Sequence, residues 1–186
     1  TGPRELCEST SMQVWTEWRL TDAPALRLVA GDTGIRIIEF LERPATDPSP
    51  PIPSPRDDAH PLLREAGNQL AAYFAGKLRQ FDLPLEMKGT DFQLRVWNLL
   101  IQIPYGQTRS YGDLARALGA PAAVRAVGAA NGANPIAIVV PCHRVIGSNG
   151  TLTGYGGGLP LKRHLLELES SQTGLLTPGY FTLDSH

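Results

Sequence analysis

Residues 110–130 read Ser-Tyr-Gly-Asp-Leu-Ala-Arg-Ala-Leu-Gly-Ala-Pro-Ala-Ala-Val-Arg-Ala-Val-Gly-Ala-Ala, and the fold turns on them. Ser110 carries the short hydroxyl that caps helices, and Tyr111 to Leu118 follows as a helix that Gly119 stops. Pro121 fits the first turn of a further helix running to about Ala130. Two short helices joined by a tight glycine-containing turn make a helix-turn-helix. On this pattern alone an ordinary helical hairpin fits as well.

Upstream, Thr90 or Asp91 caps an amphipathic helix over Phe92 to Leu100, which Ile103-Pro104-Tyr105-Gly106 closes. Downstream, Asn134-Pro135 introduces the apolar run Ile136-Ala137-Ile138-Val139-Val140, which reads as a short buried strand. That strand would deliver Pro141-Cys142-His143-Arg144-Val145 to a fixed point. These elements set a mostly helical second domain over 88–170, with 171–186 as a tail that carries no interpretable motif.

The first domain, 1–87, reads differently. Val14 to Leu20 and Ala25 to Leu41 are strand-like, with Gly31-Asp32-Thr33-Gly34 as the turn between two antiparallel runs. Pro44 to Pro61 holds seven prolines and reads as a surface loop, partly disordered. Leu62 to Phe74 has apolar residues at helical spacing, ending at Gly76, and 77–89 reads as a linker. The fold class is therefore α+β: a small N-terminal α/β domain followed by a helical one. No internal repeat is present.

Composition narrows the function. The 186 residues are 42% hydrophobic and 19% charged, as in a globular protein with a real core. No apolar stretch approaches the roughly 20 residues that span a bilayer, and Thr1 to Thr10 lacks a signal-peptide pattern. Cys7 and Cys142 lie at opposite ends, a poor disulfide scaffold, so a reducing intracellular setting is expected. Residues 1–87 carry 9 basic and 13 acidic side chains, net −4; residues 88–186 carry 8 and 5, net +3. The positive half is the one with the Cys-His pair, and its mild excess predicts modest, salt-sensitive binding to any nucleic acid.

A thiol is a strong nucleophile only as thiolate, and a neighbouring His or Arg favours that form, so Cys142 is a candidate nucleophile. The plain alternative is a core cysteine packed as a small hydrophobe. The helix from Ala122 to Ala130 is built almost wholly of small residues around the single long cation Arg125. Such a face permits close approach to another surface, and an Arg on it could fill the gap left by a base that leaves its stack. A solvated Arg on a tightly packed helix is the competing explanation.

Together these segments carry a resemblance. Arg125-Ala126-Val127-Gly128, Asn134-Pro135, Pro141-Cys142-His143-Arg144-Val145 and Gly154-Tyr155-Gly156-Gly157-Gly158 resemble the O6-alkylguanine-DNA alkyltransferase family, also called methylated-DNA–protein-cysteine methyltransferases. The likeness runs from about Gly89 through Glu169, with Tyr73-Phe74-Ala75-Gly76 as a weaker outpost; the N-terminal part fits by position and pattern only. The resemblance implies an RNase H-like antiparallel sheet domain before the helix-turn-helix domain. It implies stoichiometric, irreversible transfer of an alkyl group from O6 of guanine, and possible activity on O4-alkylthymine, to Cys142.

By the same resemblance His143 is the general base, acting through a water, and Glu169 orients it in a Cys-His-Glu arrangement. Asn134 holds the turn beneath the cysteine, and Tyr111 protonates the departing O6. Val145, Tyr155 and Gly156 wall the base pocket; relatives with serine at the position of Gly156 have one more side-chain contact, and its loss here would admit bulkier alkyl groups. Ala123, Val124, Arg125 and Ala126 enter the minor groove of double-stranded DNA, and Ser148 touches phosphate. Without the resemblance, Glu169 reads as a solvated helix-end carboxylate, Asn134 as an ordinary Asn-Pro turn and Tyr111 as a core aromatic.

Some family members hold a structural zinc; here the N-terminal half offers only Cys7 and His60, too few, so no metal and no other cofactor is expected. The remaining expectations are a cytoplasmic, bacterial-type protein, nucleoid-associated when on DNA, acting as a monomer with no membrane partner; cooperativity on DNA is left open. Two rivals stand beside this reading. A silent recognition or regulatory protein would not need Cys142, and a Cys-His-Glu hydrolase leaves Arg125 unexplained.

Overall fold

Alternation of apolar residues builds the sheet. In the computed structural model, which describes residues 13–20, 23–42 and 54–174, strands β1 (Val14–Leu20), β2 (Ala23–Ala30) and β3 (Ile35–Phe40) form an antiparallel sheet in the order β1-β2-β3. Leu26 pairs with Phe40 and Leu28 with Ile38, so these four buried side chains share one face. Helix α1 (Pro61–Phe74) covers that face with Leu63, Ala66, Leu70 and Tyr73. Its Gly67 lies against the Trp18 indole so closely that a Cβ there would overlap the ring.

The proline-rich loop was only partly as expected. Residues 43–53 lie outside the described residues, but 54–57 run along β1: Trp15 N–H donates to the Pro55 carbonyl at 3.2 Å and Asp57 N–H to the Trp15 carbonyl at 2.9 Å. Pairing with a strand edge makes this end of the loop an ordered fourth rail.

The second half follows the capping signals closely. Thr90 caps α2 (Asp91–Ile101) through a reciprocal capping box with Gln93, and Ser110 caps α3 (Tyr111–Ala117) through the same device with Asp113. Gly119 takes φ +70° in the turn. Pro121–Ala123 forms a single 3₁₀ turn, and the α-helix proper, α4, is Val124–Gly132. Trp97 of α2 donates its indole N–H to the Ala130 carbonyl at 2.8 Å, fixing α4 on α2. Short strands β4 (Arg109–Ser110) and β5 (Val145–Ile146) pair in parallel, and α5 (Leu159–Thr173) is the last helix among the described residues, running past the expected boundary at 170.

One expectation is corrected. Residues 136–140 are not a strand: they form a tight turn, with Ile138 in the left-handed region at φ +70°. Only Ile136 bridges β3, through Ile38 N–H to the Pro135 carbonyl and Ala137 N–H to the Ile38 carbonyl, both 2.9 Å. Four of the five apolar residues between the two prolines are buried and Val139 is half-buried, and burial alone does not separate a strand from a buried turn. The result fuses the halves, because one apolar core runs from Leu26 and Ile38 through Val96 and Val140 to Leu165.

Candidate active site

Cys142 opens a single 3₁₀ turn, Cys142–Arg144, directly after the 134–140 turn. The Asn134 carboxamide holds that turn: its Nδ2 donates to the Val140 carbonyl at 2.8 Å and its Oδ1 accepts from Ile136 N–H at 3.0 Å. Asn131 donates to the Cys142 carbonyl at 3.4 Å. The thiol is therefore positioned by side-chain amides rather than by a strand. It is free and 6% exposed. Burial pushes its pKa up, while hydrogen bonding to Asn134 and the charge of Lys162 pull it back.

His143, Arg144 and Glu169 form a buried ionic cluster. Positions 162, 165, 166 and 169 recur at helical spacing on the inner face of α5, which carries both Lys162 and Glu169 into the core. Glu169 Oε1 lies 2.9 Å from His143 Nε2 and accepts from Arg144 Nη2 at 2.9 Å, while Oε2 accepts from Arg144 Nε at 2.9 Å and Gly106 N–H at 3.0 Å. The Tyr73 hydroxyl donates to Oε1 at 2.7 Å. Burial alone would raise the Glu169 carboxyl, but His143 and Arg144 outweigh it and hold it well below the carboxylate range. His143, fully buried, is pushed below the ordinary histidine value by desolvation, with Glu169 opposing and the Arg144 and Lys162 charges adding to the fall. A neutral imidazole beside a carboxylate can take a proton from a thiol. Its Nδ1 has no hydrogen-bond partner among the described residues.

One recess opens on the cysteine and a second adjoins it through Tyr155 and Gly156. One, of ≈ 290 Å³, is lined by Cys142, Asn134, Ala137, Phe40, Tyr155 and Gly156 among others. The second, ≈ 530 Å³ and more open, is lined by Tyr111, Val124, Gly128, Thr153, Tyr155 and Gly156. Tyr111, the first residue of α3, accepts a hydrogen bond from Thr153 Oγ1 at 3.2 Å, and burial raises its pKa. A Cβ at Gly128 would touch the Tyr111 ring at 3.9 Å, so small residues bring α4 against the phenol. Gly156 is exposed, and a Cβ there meets nothing within 4 Å.

The expected residues thus divide. Cys142, Asn134, Tyr155 and Gly156 share one recess, and Tyr111 joins Tyr155 and Gly156 at the other. His143 and Glu169 lie in contact beneath them. Val145 is fully buried in β5 opposite Arg109 and lines neither recess. Val124, Arg125 and Ala126 are exposed on the outer face of α4, with Ala123 half-buried at its start. Ser148 is exposed in the turn after β5.

Three contributors were not singled out from sequence. Arg144 is 6% exposed and also donates to the Ile103 carbonyl at 2.6 Å; a cation inside an apolar segment calls for a buried carboxylate, and that was its signal. Lys162 is fully buried, its ammonium donating to the Thr153 carbonyl at 2.8 Å, and desolvation brings its pKa down to about 8. Tyr73 comes from the other half of the chain and stood only within the weaker likeness of Tyr73-Phe74-Ala75-Gly76, with no role attached to it.

Comparison with known proteins shows the family. Residues 91–171 match the family model described as 6-O-methylguanine DNA methyltransferase, DNA binding domain, and residues 25–87 the one described as its ribonuclease-like domain. The methylated-DNA–protein-cysteine methyltransferase of Mycobacterium tuberculosis is 55% identical over 140 residues, 75% of this chain and 81% of that protein. The Methanosarcina acetivorans protein of the same name is 51% identical over 145 residues, 77% of this chain and 91% of that one. Among solved structures, the M. tuberculosis O6-methylguanine methyltransferase superposes with a TM-score of 0.75 at 46% identity, covering 91% of this chain and 96% of that one. The M. tuberculosis OGT in complex with DNA gives 0.74 at 49% identity, covering 87% and 94%.

Proposed function

Since this chain belongs to the 6-O-methylguanine DNA methyltransferase family, we propose that it repairs DNA by direct reversal, moving the alkyl group of O6-alkylguanine irreversibly onto Cys142. The observation that carries the reading is a buried free thiol next to a buried His-Glu pair, lining a recess that shares Tyr155 and Gly156 with a second one bordered by Tyr111 and helix α4.

In the proposed chemistry, Nδ1 of His143 takes the thiol proton through a water and the thiolate attacks the alkyl carbon in line. The S–C bond forms as the C–O6 bond breaks, and its electron pair goes to O6, which Tyr111 protonates. The thiol is buried, so the Lys162 charge acts on the thiolate with less screening than it would have in water. No turnover follows, because a thioether has no leaving path.

Arg125, with Ala123, Val124 and Ala126, would enter the minor groove of duplex DNA, and Ser148 would touch phosphate. Minor-groove readout is degenerate, which suits recognition of a lesion over a sequence. We also place the boundary between the two domains near residues 87–88, and the protein in the cytoplasm as a monomer that associates with the nucleoid on binding DNA; no helix among the described residues is long and apolar enough to cross a membrane.

Intact-mass measurement after incubation with an O6-methylguanine duplex tests the reading. One added methyl on the Cys142 peptide, saturating at one equivalent per chain, is expected. Multiple turnovers, a methyl on Cys7, or persistent transfer by Cys142→Ala would overturn it.

A further inference from the structure

Tyr73 belongs to the sheet-covering helix α1, 70 residues before His143, yet its hydroxyl lies 2.7 Å from Glu169 Oε1 and 3.4 Å from His143 Nε2. Its ring is gripped by Phe81 at 5.4 Å, Phe74 at 5.6 Å and Tyr105 at 6.0 Å between centroids, so the hydroxyl has little freedom. The residue is fully buried. We infer that Tyr73 is a positioning residue for alkyl transfer: through this one hydroxyl the N-terminal half holds and tempers the Glu169 carboxylate that sets which nitrogen of His143 is the base. This rests on the function proposed above.

Proton counting carries the argument. A phenol has one proton, and the nearest strong acceptor is the Glu169 carboxylate. With that proton committed, the phenol oxygen and the carboxylate both present lone pairs to Nε2 of His143. Nε2 must then carry the hydrogen, and the lone pair falls on Nδ1, the nitrogen with no partner among the described residues. The hydroxyl also draws charge from Glu169, which weakens the carboxylate's hold on a second imidazole proton. The groups facing the ring are Glu169 and Lys162 from α5, Arg144 and Cys142 from its own turn, Tyr155 from the following loop, and Tyr73. Among them, Glu169 is the anion that favours imidazolium, so whatever tempers Glu169 keeps the base free at neutral pH.

Tyr73→Phe keeps the ring and removes the hydroxyl. The rate constant for methyl transfer from an O6-methylguanine duplex, followed across the histidine range, should rise at higher pH in the variant, its acid limb displaced by about one pH unit. On the acid side this is a roughly tenfold slower reaction. A profile superimposable on the parent's, or one lowered by the same factor at every pH, would make Tyr73 merely structural and overturn the inference. The parent gives a check that needs no variant: ¹⁵N shifts of His143 should show Nε2 protonated and Nδ1 bare, and a protonated Nδ1 in the neutral ring overturns it. If the parent itself transfers no methyl to Cys142, the proposed function fails instead.

Discussion

Arg144 grips both oxygens of Glu169, its Nε 2.9 Å from Oε2 and its Nη2 2.9 Å from Oε1, with the carboxylate fully buried. A charged pair taken out of water is worth little by itself, but one left without its partner is costly. Arg144→Met should therefore destabilise the protein by about 3–5 kcal/mol, read as the midpoint of chemical unfolding. Arg144→Lys loses the bidentate fork and should fall between the two.

The same pair fixes the acid behaviour. Glu169 has a folded pKa below its unfolded one, so its contribution to stability is complete above the unfolded value of about 4.3 and disappears as pH falls toward the folded value. Stability of the parent relative to Glu169→Gln should shrink through that acid window. A constant difference from neutral pH down would show that Glu169 is not ionised in the folded state.

Lys162 makes the opposite end of the pH scale informative. Its folded pKa, about 8, lies below the unfolded 10.5, so folding is penalised while the ammonium is charged and the penalty is lifted as pH rises between those values. Lys162→Met should remove this alkaline gain, measured as the difference in unfolding free energy between parent and variant against pH. Loss of the ammonium also removes a charge that favours the Cys142 thiolate, so iodoacetamide labelling of Cys142 should titrate at higher pH.

Much of this was legible in the chain because local chemistry decided it. Ser110, Thr90 and Gly119 mark helix ends by hydrogen bonds and backbone freedom confined to a few residues. The 136–140 turn was misread because β-branched apolar residues satisfy both a strand and a buried turn, and what selects the turn is the Asn134 side chain. Glu169 was reachable only through resemblance, since its partners lie 25 and 26 residues away and nothing at its own position distinguishes it from a solvated carboxylate. The role of Tyr73, quoted only within a weak likeness, was beyond reach: it meets Glu169 across 96 residues, through the packing of one half on the other.

Arg125 tests the surface separately from the chemistry. It is exposed on α4, so Arg125→Ala should leave stability within about 0.5 kcal/mol of the parent. Repair of a duplex lesion should slow, because filling the vacated stack offsets the few kcal/mol of extrusion, whereas reaction with free O6-methylguanine base should be unchanged. Equal losses on both substrates would remove the extrusion role.

Ile138 sets two backbone and side-chain effects against each other at one position. A β-branched residue at φ +70° is strained by about 1–2 kcal/mol, and Ile138→Gly would relieve it. The same change deletes a fully buried side chain, and Ile-to-Ala truncations already cost about 2–5 kcal/mol. The cavity term is the larger, so the variant should be less stable by about 1–3 kcal/mol in denaturant unfolding. Because the turn that carries Ile138 ends at Pro141, immediately before the nucleophile, its loosening should also slow methyl transfer to Cys142 more than it weakens binding to undamaged duplex. A stabilised Ile138→Gly protein would mean that the strain, not the packing, dominates beneath the cysteine.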